Sequence, residues 1–258
     1  MANRLQERVV HSHVWKSIFR TGSPQSNLDK SRFIYNNFFF HVFPVKVERS
    51  SLRFSATFYL GIISFALFVL LVLTGIYLML YYHPSVPQAY RDMKDLEFVV
   101  SNGRFIRNFH RWAAHGMVAV VFLHLLRVFY AGAYRPPKQF NWVIGVILFL
   151  LTLLLSYTGY LLPWDQLALW GISVGTNMLG YAPVIGGKIR FLLLGGHIVG
   201  ENALLRFYVL HVFILPLAMT VLLGVHFWRV RKDGGITPLI KRNQQKQVNA
   251  QSESDHEA

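Results

Sequence analysis

Four long apolar runs divide this sequence, and they constrain its fold more than any other feature. The runs cover residues 56–82, 112–130, 142–162 and 207–228. Each is near the length of about 20 residues that a helix needs to cross the hydrocarbon core of a bilayer. Helices are expected because the backbone polar groups of a spanning segment must be satisfied internally. We therefore predict an all-α membrane protein built on a bundle of four transmembrane helices.

The composition supports a membrane protein and excludes several kinds of metal site. Hydrophobic residues make up 53% of the 258 residues and charged residues only 15%, values that favour a membrane class over an ordinary soluble domain. The sequence has no cysteine, which removes disulfides, thiolate ligands and iron–sulfur ligation. The net charge of +14 is interpreted as basic cytoplasmic loops, because basic residues concentrate there in membrane proteins. We expect no nucleic-acid partner.

Three segments follow from the pattern along the chain. Residues 1–50 are predicted to be a cytoplasmic or interfacial segment that starts with an amphipathic surface helix, because no apolar core follows the first charges. Residues 51–232 form the predicted bundle domain, and the polar residues 233–258 are predicted to be a disordered tail. The apolar stretch 167–194 is interrupted by Gly and Pro, which favours short helices on one membrane face over a fifth span.

The basic residues predict the orientation of the bundle. Arg and Lys outnumber acidic residues before the first run and after the fourth, and the link between runs two and three carries Arg135 and Lys138 without an acid. Since basic loops stay in the cytoplasm, both termini and this link are predicted to be cytoplasmic. We expect a multi-pass protein of a bacterial inner membrane.

Four histidines lie at matched spacing on the second and fourth runs. His110 and His124 are 14 residues apart, and His211 and His226 are 15 apart. A step of this length covers about 21–22 Å of helix and leaves both residues on roughly one face. The two helices run in the same direction, so the histidines pair by depth. We call His110 and His211 the outer pair, and His124 and His226 the inner pair.

Each pair is predicted to ligate one flat metal cofactor, since an imidazole in hydrocarbon is costly unless it is used. The alternative for a single buried histidine is a hydrogen-bonded core residue. The difference between the 14- and 15-residue spacings is expected to be absorbed by small differences in helix rotation and tilt.

Glycines and arginines accompany the histidines. Gly61 and Gly75 on the first run, and Gly145 and Gly159 on the third, repeat the 14-residue spacing. They are predicted to clear a haem face, the alternative being helix packing through small residues. The arginines predicted to pair with haem propionates are Arg107, Arg111 and Arg127. Their alternative role is interfacial anchoring.

These features resemble the cytochrome b family of the quinol-oxidising bc and bf complexes, over about residues 44–235. The stretches that carry the resemblance are RNFHRW, FLHLLRVFY, YTGYLLPWDQ and RFYVLHVFILPL. The chain resembles the split, four-helix form of the bf type. The resemblance implies two non-covalent haem b groups, the outer pair holding the low-potential haem and the inner pair the high-potential haem.

The resemblance also implies a reaction and its partners. Quinol would be oxidised on the outer side, one electron going to a Rieske iron–sulfur protein and one to the outer haem, and quinone would be reduced on the inner side with proton translocation. The implied quinone-site residues are Tyr157, Pro163, Trp164, Gly171, Arg231 and Lys232. Other implied partners are a three-span subunit that completes the outer site, a c-type cytochrome or other acceptor, and a second copy in a dimeric complex.

Two departures from the family pattern limit what the resemblance implies. The bf-type form carries a third haem tethered through a cysteine, which this sequence excludes. The nearest acidic residue before the first run is Glu48, so proton delivery to the inner quinone site is expected to differ. The alternative function is a haem-b membrane anchor of a formate dehydrogenase or hydrogenase, and a third alternative is a haem-free scaffold or transporter subunit.

Overall fold

The fold is all-helical in the part of the chain that the computed structural model describes, which is residues 12, 26–28, 30 and 54–236. A short helix α1 (Phe54–Thr57) comes first, and α2 (Leu60–Met79) follows it. Phe58 and Tyr59 separate them with φ angles of 51° and 53°, a left-handed conformation that interrupts a helix. The first predicted span began at residue 56, so this break moves its start to Leu60.

The second, third and fourth spans are confirmed as long helices. They are α4 (Gly103–Tyr130), α5 (Gln139–Leu161) and a continuous helical stretch from Glu201 to Asp233. Together with α2 they are the four helices of the described residues that are long and apolar enough to cross a membrane. Helix α4 starts nine residues before the predicted run because its first turns are polar, and hydropathy alone does not detect such turns.

The fourth span is not a uniform α-helix. It consists of α8 (Glu201–Val209), a π-helical turn at Leu210–Ile214 that contains His211, and α9 (Leu215–Asp233). A π turn closes i→i+5 hydrogen bonds and so takes up about one more residue than an α turn. A 15-residue step that contains one such turn therefore has about the angular phase of a 14-residue step in an α-helix. This turn accounts for the spacing difference that we had assigned to rotation and tilt.

The stretch between α5 and α8 folds into two shorter helices. These are α6 (Gln166–Gly180) and α7 (Gly186–Leu194). The side chain of Asp165 caps α6 by accepting a hydrogen bond from the backbone N–H of Ala168 at 2.8 Å. Gly195 ends α7 with a φ of 69°, which glycine adopts without a steric penalty. Neither helix is among the four candidate spans, and their place on a membrane face stays a prediction.

An additional helix that the sequence did not predict, α3 (Gln88–Phe98), joins α2 to α4. Its buried Asp92 accepts hydrogen bonds from the backbone N–H of His83 at 2.6 Å and from Gln88 Nε2 at 2.8 Å. Beside it Tyr82 donates a hydrogen bond to the Leu162 carbonyl at 2.6 Å, and burial raises the pKa of this phenol. These hydrogen bonds stabilise the segment that joins α2 to α4.

The described chain forms two compact units. The first holds residues 54–61, 122–148 and 221–236, and the second holds residues 62–121 and 149–220. The best-packed cluster of the second unit is Leu161, Ile172, Leu194, Ala203 and Phe207, where α5, α6, α7 and α8 meet. Many apolar side chains of the long helices are exposed, among them Ile62 at 69% and Leu73 at 64%, as is expected for helices that face lipid. The predicted amino-terminal surface helix and most of the predicted tail lie outside the described residues.

Candidate functional site

The outer histidine pair lies within the second unit, His110 on α4 and His211 in the π turn. The centroids of the two rings are 6.3 Å apart and their planes are inclined by 73°. A bond between imidazole and a metal such as zinc is about 2.0–2.1 Å long, so two rings on opposite sides of one metal have centroids about 6 Å apart. The observed separation therefore suits a metal held between these rings.

A glycine on a neighbouring helix faces each ring of the outer pair. A Cβ atom built at Gly75 would lie 3.4 Å from Cε1 of His110. A Cβ atom at Gly159 would lie only 2.6 Å from Cε1 of His211, closer than non-bonded carbons approach. Because Gly159 has no side chain, the His211 ring can lie directly against its backbone.

The inner pair lies within the first unit, and each of its rings also faces a glycine of a neighbouring helix. A Cβ atom at Gly61 would lie 3.3 Å from Cε1 of His124, and one at Gly145 would lie 3.9 Å from Cε1 of His226. The glycines repeat the histidine spacing because each lies against one imidazole. Whether they also clear a haem face stays a prediction.

Two threonines that the sequence analysis missed contact the outer pair. Thr74 Oγ1 lies 2.8 Å from His110 Nδ1, and Thr158 Oγ1 lies 3.1 Å from His211 Nδ1. Each threonine directly precedes the glycine that faces the same ring. The repeated Thr-Gly dipeptide, 84 residues apart in the chain, was the available signal, but dipeptides of this kind are common in membrane helices.

The two imidazoles of a pair fit a metal cofactor whose own ring supplies the equatorial ligands. Within the described residues, no group of three or more His, Asp or Glu side chains is placed to hold a metal ion, and the sequence contains no cysteine. A pair of imidazoles is a sufficient axial set for an iron porphyrin, which supplies four nitrogens itself. The glycine faces beside the rings are consistent with this fit.

The three arginines that are predicted to pair with haem propionates lie beside protein side chains in the structure. Arg107 donates a hydrogen bond to Glu97 at 2.9 Å. The guanidinium of Arg111 lies 5.9 Å from the ring of Trp112, and that of Arg127 lies 5.5 Å from the ring of Phe58. Propionate pairing by these arginines stays a prediction, and for Arg107 it would be shared with Glu97.

The predicted outer quinone residues come together around the start of α6. Tyr157 donates a hydrogen bond to the Gly171 carbonyl at 2.9 Å, and its ring packs against the same cluster as Trp164. Trp164 has a φ of 51°, a strained value for an aromatic residue. The turn that contains Pro163 and Trp164 is thus held in one conformation by its surroundings. Whether these residues line a quinone pocket stays a prediction.

The predicted inner quinone residues, Arg231 and Lys232, lie in the last turn of α9. Lys232 Nζ lies 5.1 Å from the centroid of the Trp228 ring. The same turn contains a buried ion pair that the sequence analysis did not single out, in which Arg229 NH2 lies 3.1 Å from Asp233 Oδ2. This ion pair links two side chains of the last turn, four residues apart on α9.

Lys138 reinforces this region from the link between α4 and α5. Its ammonium group donates hydrogen bonds to the carbonyls of Gly234 and Gly235, which follow the end of α9. In the sequence, Lys138 is recognisable only as a basic residue of the link. The contact could not be predicted from the sequence, because 96 residues separate the lysine from Gly234.

Four membrane-length helices, two of which carry two of these histidines each, place the chain in the class of helical membrane proteins. A family model described as cytochrome b/b6/petB matches residues 45–234. The chain belongs to this cytochrome b family, as the sequence motifs predicted.

Two curated relatives are about 40% identical to this chain. The chain is 42% identical over 190 residues to the menaquinol:cytochrome c reductase cytochrome b subunit of Bacillus subtilis (strain 168), covering 72% of this chain and 84% of that protein. It is also 42% identical over 180 residues to the cytochrome b6 of Gracilaria tenuistipitata var. liui, covering 70% of this chain and 84% of that protein.

A solved structure has the same fold. A chain of a hyperthermophilic respiratory Complex III superposes with a TM-score of 0.65 at 28% sequence identity. The match covers 80% of this chain and 53% of that chain, so this chain spans about half the length of its solved relative. The likeness supports the helical architecture described above.

Proposed function

We propose that this chain is the di-haem cytochrome b subunit of a quinol-oxidising bc- or bf-type complex. It would carry electrons across the membrane, from an outer quinol-oxidation site to an inner quinone-reduction site, in a Q cycle coupled to proton translocation. The observation that carries the proposal is the arrangement of four histidines in two pairs, each ring faced by a glycine of a neighbouring helix. The names of the relatives, a menaquinol:cytochrome c reductase subunit and a cytochrome b6, support the same function.

The residues have distinct tasks in this proposal. His110 with His211, and His124 with His226, would each ligate one non-covalent haem b, and when bound the two haems would supply one-electron redox chemistry at two depths of the membrane. The glycines leave room for the imidazoles. Arg107, Arg111 and Arg127 would pair with propionates at the edges of the bundle.

The two quinone pockets would be built differently. On the outer side, Tyr157, Pro163, Trp164 and Gly171 would form a mostly apolar wall, which is supported by the hydrogen bond from the Tyr157 hydroxyl to the Gly171 carbonyl. On the inner side, Arg231 and Lys232 would offer cationic groups to the reduced quinone head. Apolar walls with few convergent polar groups are typical of cofactor pockets.

The active protein would be an assembly and not this chain alone. The proposed partners are a Rieske iron–sulfur protein, a short three-span subunit that completes the outer quinol site, and a c-type cytochrome or other electron acceptor. The family's complexes imply a dimer of this assembly. We propose a bacterial inner membrane as the location, with both termini in the cytoplasm.

Single substitutions of the histidines test the proposal. We expect His110→Ala or His211→Ala to remove the outer haem, so that the purified complex contains about one haem b per chain in place of two, because one imidazole cannot replace the lost axial bond. Haem is quantified as the pyridine complex against protein. His115→Ala is the matched control, since His115 lies on the same helix and outside the pairs. A wild-type complex without b-type absorbance would contradict the proposal.

A further inference from the structure

The outer and inner histidine pairs differ in what surrounds their Nδ1 atoms. In the outer pair each Nδ1 lies against a threonine hydroxyl, at 2.8 Å for Thr74 and His110 and at 3.1 Å for Thr158 and His211. Both threonines are buried, with exposures of 9% and 3%. Helices α2 and α5 thus each place a threonine hydroxyl beside one ring of the outer pair.

The direction of these two bonds follows from counting protons. A hydroxyl has a single proton to donate. The hydroxyl of Thr74 donates it to the backbone carbonyl of Leu70 at 2.8 Å, and that of Thr158 donates it to Leu154 at 2.9 Å. Each hydroxyl oxygen therefore meets its histidine as an acceptor, and the proton of the bond belongs to Nδ1 of the ring.

This proton position selects the tautomer that can bind a metal. A neutral imidazole with a proton on Nδ1 has its free lone pair on Nε2. The carbonyls of Leu71 and Leu155 lie 3.2 Å from the same two threonine oxygens, so acceptors surround both Nδ1 atoms and favour the protonated form. The Nε2 atoms of His110 and His211 are then ready to ligate iron.

The glycines that face the inner pair are not preceded by threonines. The residues before its two facing glycines are Leu60 and Ile144, which have no polar side-chain atom. Nδ1 of His226 is buried and has no hydrogen-bond partner within the described part of the chain. The two sites therefore share their ligands but differ in the hydrogen bonds made to them.

We propose that Thr74 and Thr158 are positioning residues that make the outer imidazoles more basic and so lower the reduction potential of the outer haem. The proposal rests on the function proposed above. An acceptor on Nδ1–H gives the ring imidazolate character, which favours the oxidised iron. The threonine oxygen is a better acceptor than an isolated hydroxyl because its own proton is engaged by a carbonyl. The chain would thereby set part of the potential difference along its electron path.

The test is an equilibrium redox titration of the whole complex, followed by the b-band absorbance. We expect Thr74→Val and Thr158→Val to raise the midpoint potential of the outer haem, the double variant to raise it further, and the inner haem to keep its potential. Thr74→Ser and Thr158→Ser retain the hydroxyl and are expected to restore the wild-type value. Thr220→Val is the matched control, since the Thr220 hydroxyl donates to the Pro216 carbonyl at 2.8 Å on the same kind of helix.

The outcomes separate this proposal from the proposed function. An unchanged outer potential in the double variant with both haems bound would overturn the threonine role, because the carbonyls alone would then suffice. Equal shifts of both haems would also overturn it, since Thr74 and Thr158 lie against the outer rings. Where a valine variant does not assemble, Thr74→Ala and Thr158→Ala remove the same hydroxyls with a smaller side chain. Failure of the proposed function would appear earlier, as a wild-type complex without two b haems.

Discussion

Gly159 is the position where the site leaves least room for a side chain. A Cβ atom there would lie 2.6 Å from Cε1, 3.1 Å from Nε2 and 3.2 Å from Nδ1 of His211, so the whole ring would have to move. The corresponding closest distances are 3.3 Å at Gly61, 3.4 Å at Gly75 and 3.9 Å at Gly145. Four glycines that look equivalent in the sequence therefore differ in how strictly they are required.

This ranking predicts a graded series of alanine variants. We expect Gly159→Ala to displace His211, at a cost of about 1–3 kcal/mol for overpacking, and to lose most of the outer haem. Gly145→Ala is expected to retain both haems, because 3.9 Å is an ordinary van der Waals distance. Gly116→Ala is the control, a glycine of α4 whose added Cβ would lie 3.8 Å from Leu67 Cδ1. Haem per chain in the purified complex checks the order, and equal losses at Gly145 and Gly159 would contradict it.

At the scale of residues, the four histidines could be singled out from the sequence, whereas the side chains that contact them are identified only in the structure. His110, His124, His211 and His226 could be found because helical periodicity converts spacing into faces and depths. Thr74 and Thr158 could not, since a buried threonine on a helix usually bonds only its own backbone. The positions of both helices are needed to see that the threonine oxygen also accepts a hydrogen bond from a histidine ring on another helix.

The π turn at Leu210–Ile214 is the element that the sequence pattern could not reveal. The 15-residue step from His211 to His226 indicated that something must absorb an extra residue, but periodicity does not say where. The span bounds show the same limit: α4 begins nine residues before its apolar run because Arg104, Arg107 and other polar residues open it. Hydropathy detects the hydrocarbon-facing part of a helix, and a helix continues beyond that part.

If the π turn compensates for one residue, removing one residue should be tolerated there. We expect deletion of Val212 to convert the turn to α-helix and to keep both haems, because the remaining 14-residue step has the phase of the His110–His124 step. Deletion of Val118 from α4 is the matched comparison. It leaves a 13-residue step, which rotates one histidine by about 100° relative to the other, and should cost one haem. Haem content and optical spectra of the two complexes measure the difference. Loss of a haem on deletion of Val212 alone would refute the compensating role.

At the scale of the whole molecule, each histidine pair belongs to one compact unit, the outer pair to residues 62–121 and 149–220 and the inner pair to the other unit. The sequence predicted one bundle domain and gave no sign of this division, because contacts between helices are not encoded in hydropathy. The family match over residues 45–234 agrees with the extent expected from the motifs. Asp233, assigned to the tail from its polar surroundings, is instead the last residue of α9 and pairs with Arg229.

The orientation of the molecule is open to a direct test, because the sequence has no cysteine. Single cysteines can be introduced as Tyr134→Cys in the link between α4 and α5, and as Tyr181→Cys or Ile198→Cys between α6 and α8, where the native residues are 36%, 88% and 81% exposed. The link carries Arg135 and Lys138, and basic links remain in the cytoplasm.

A membrane-impermeant maleimide applied to spheroplasts should therefore label the cysteines at positions 181 and 198 but not the cysteine at 134, and the latter should react only after permeabilisation. Two outer positions are used because a partner subunit can cover one of them. The reverse pattern would place the outer histidine pair on the cytoplasmic side, and the proposed direction of electron flow would then have to be inverted.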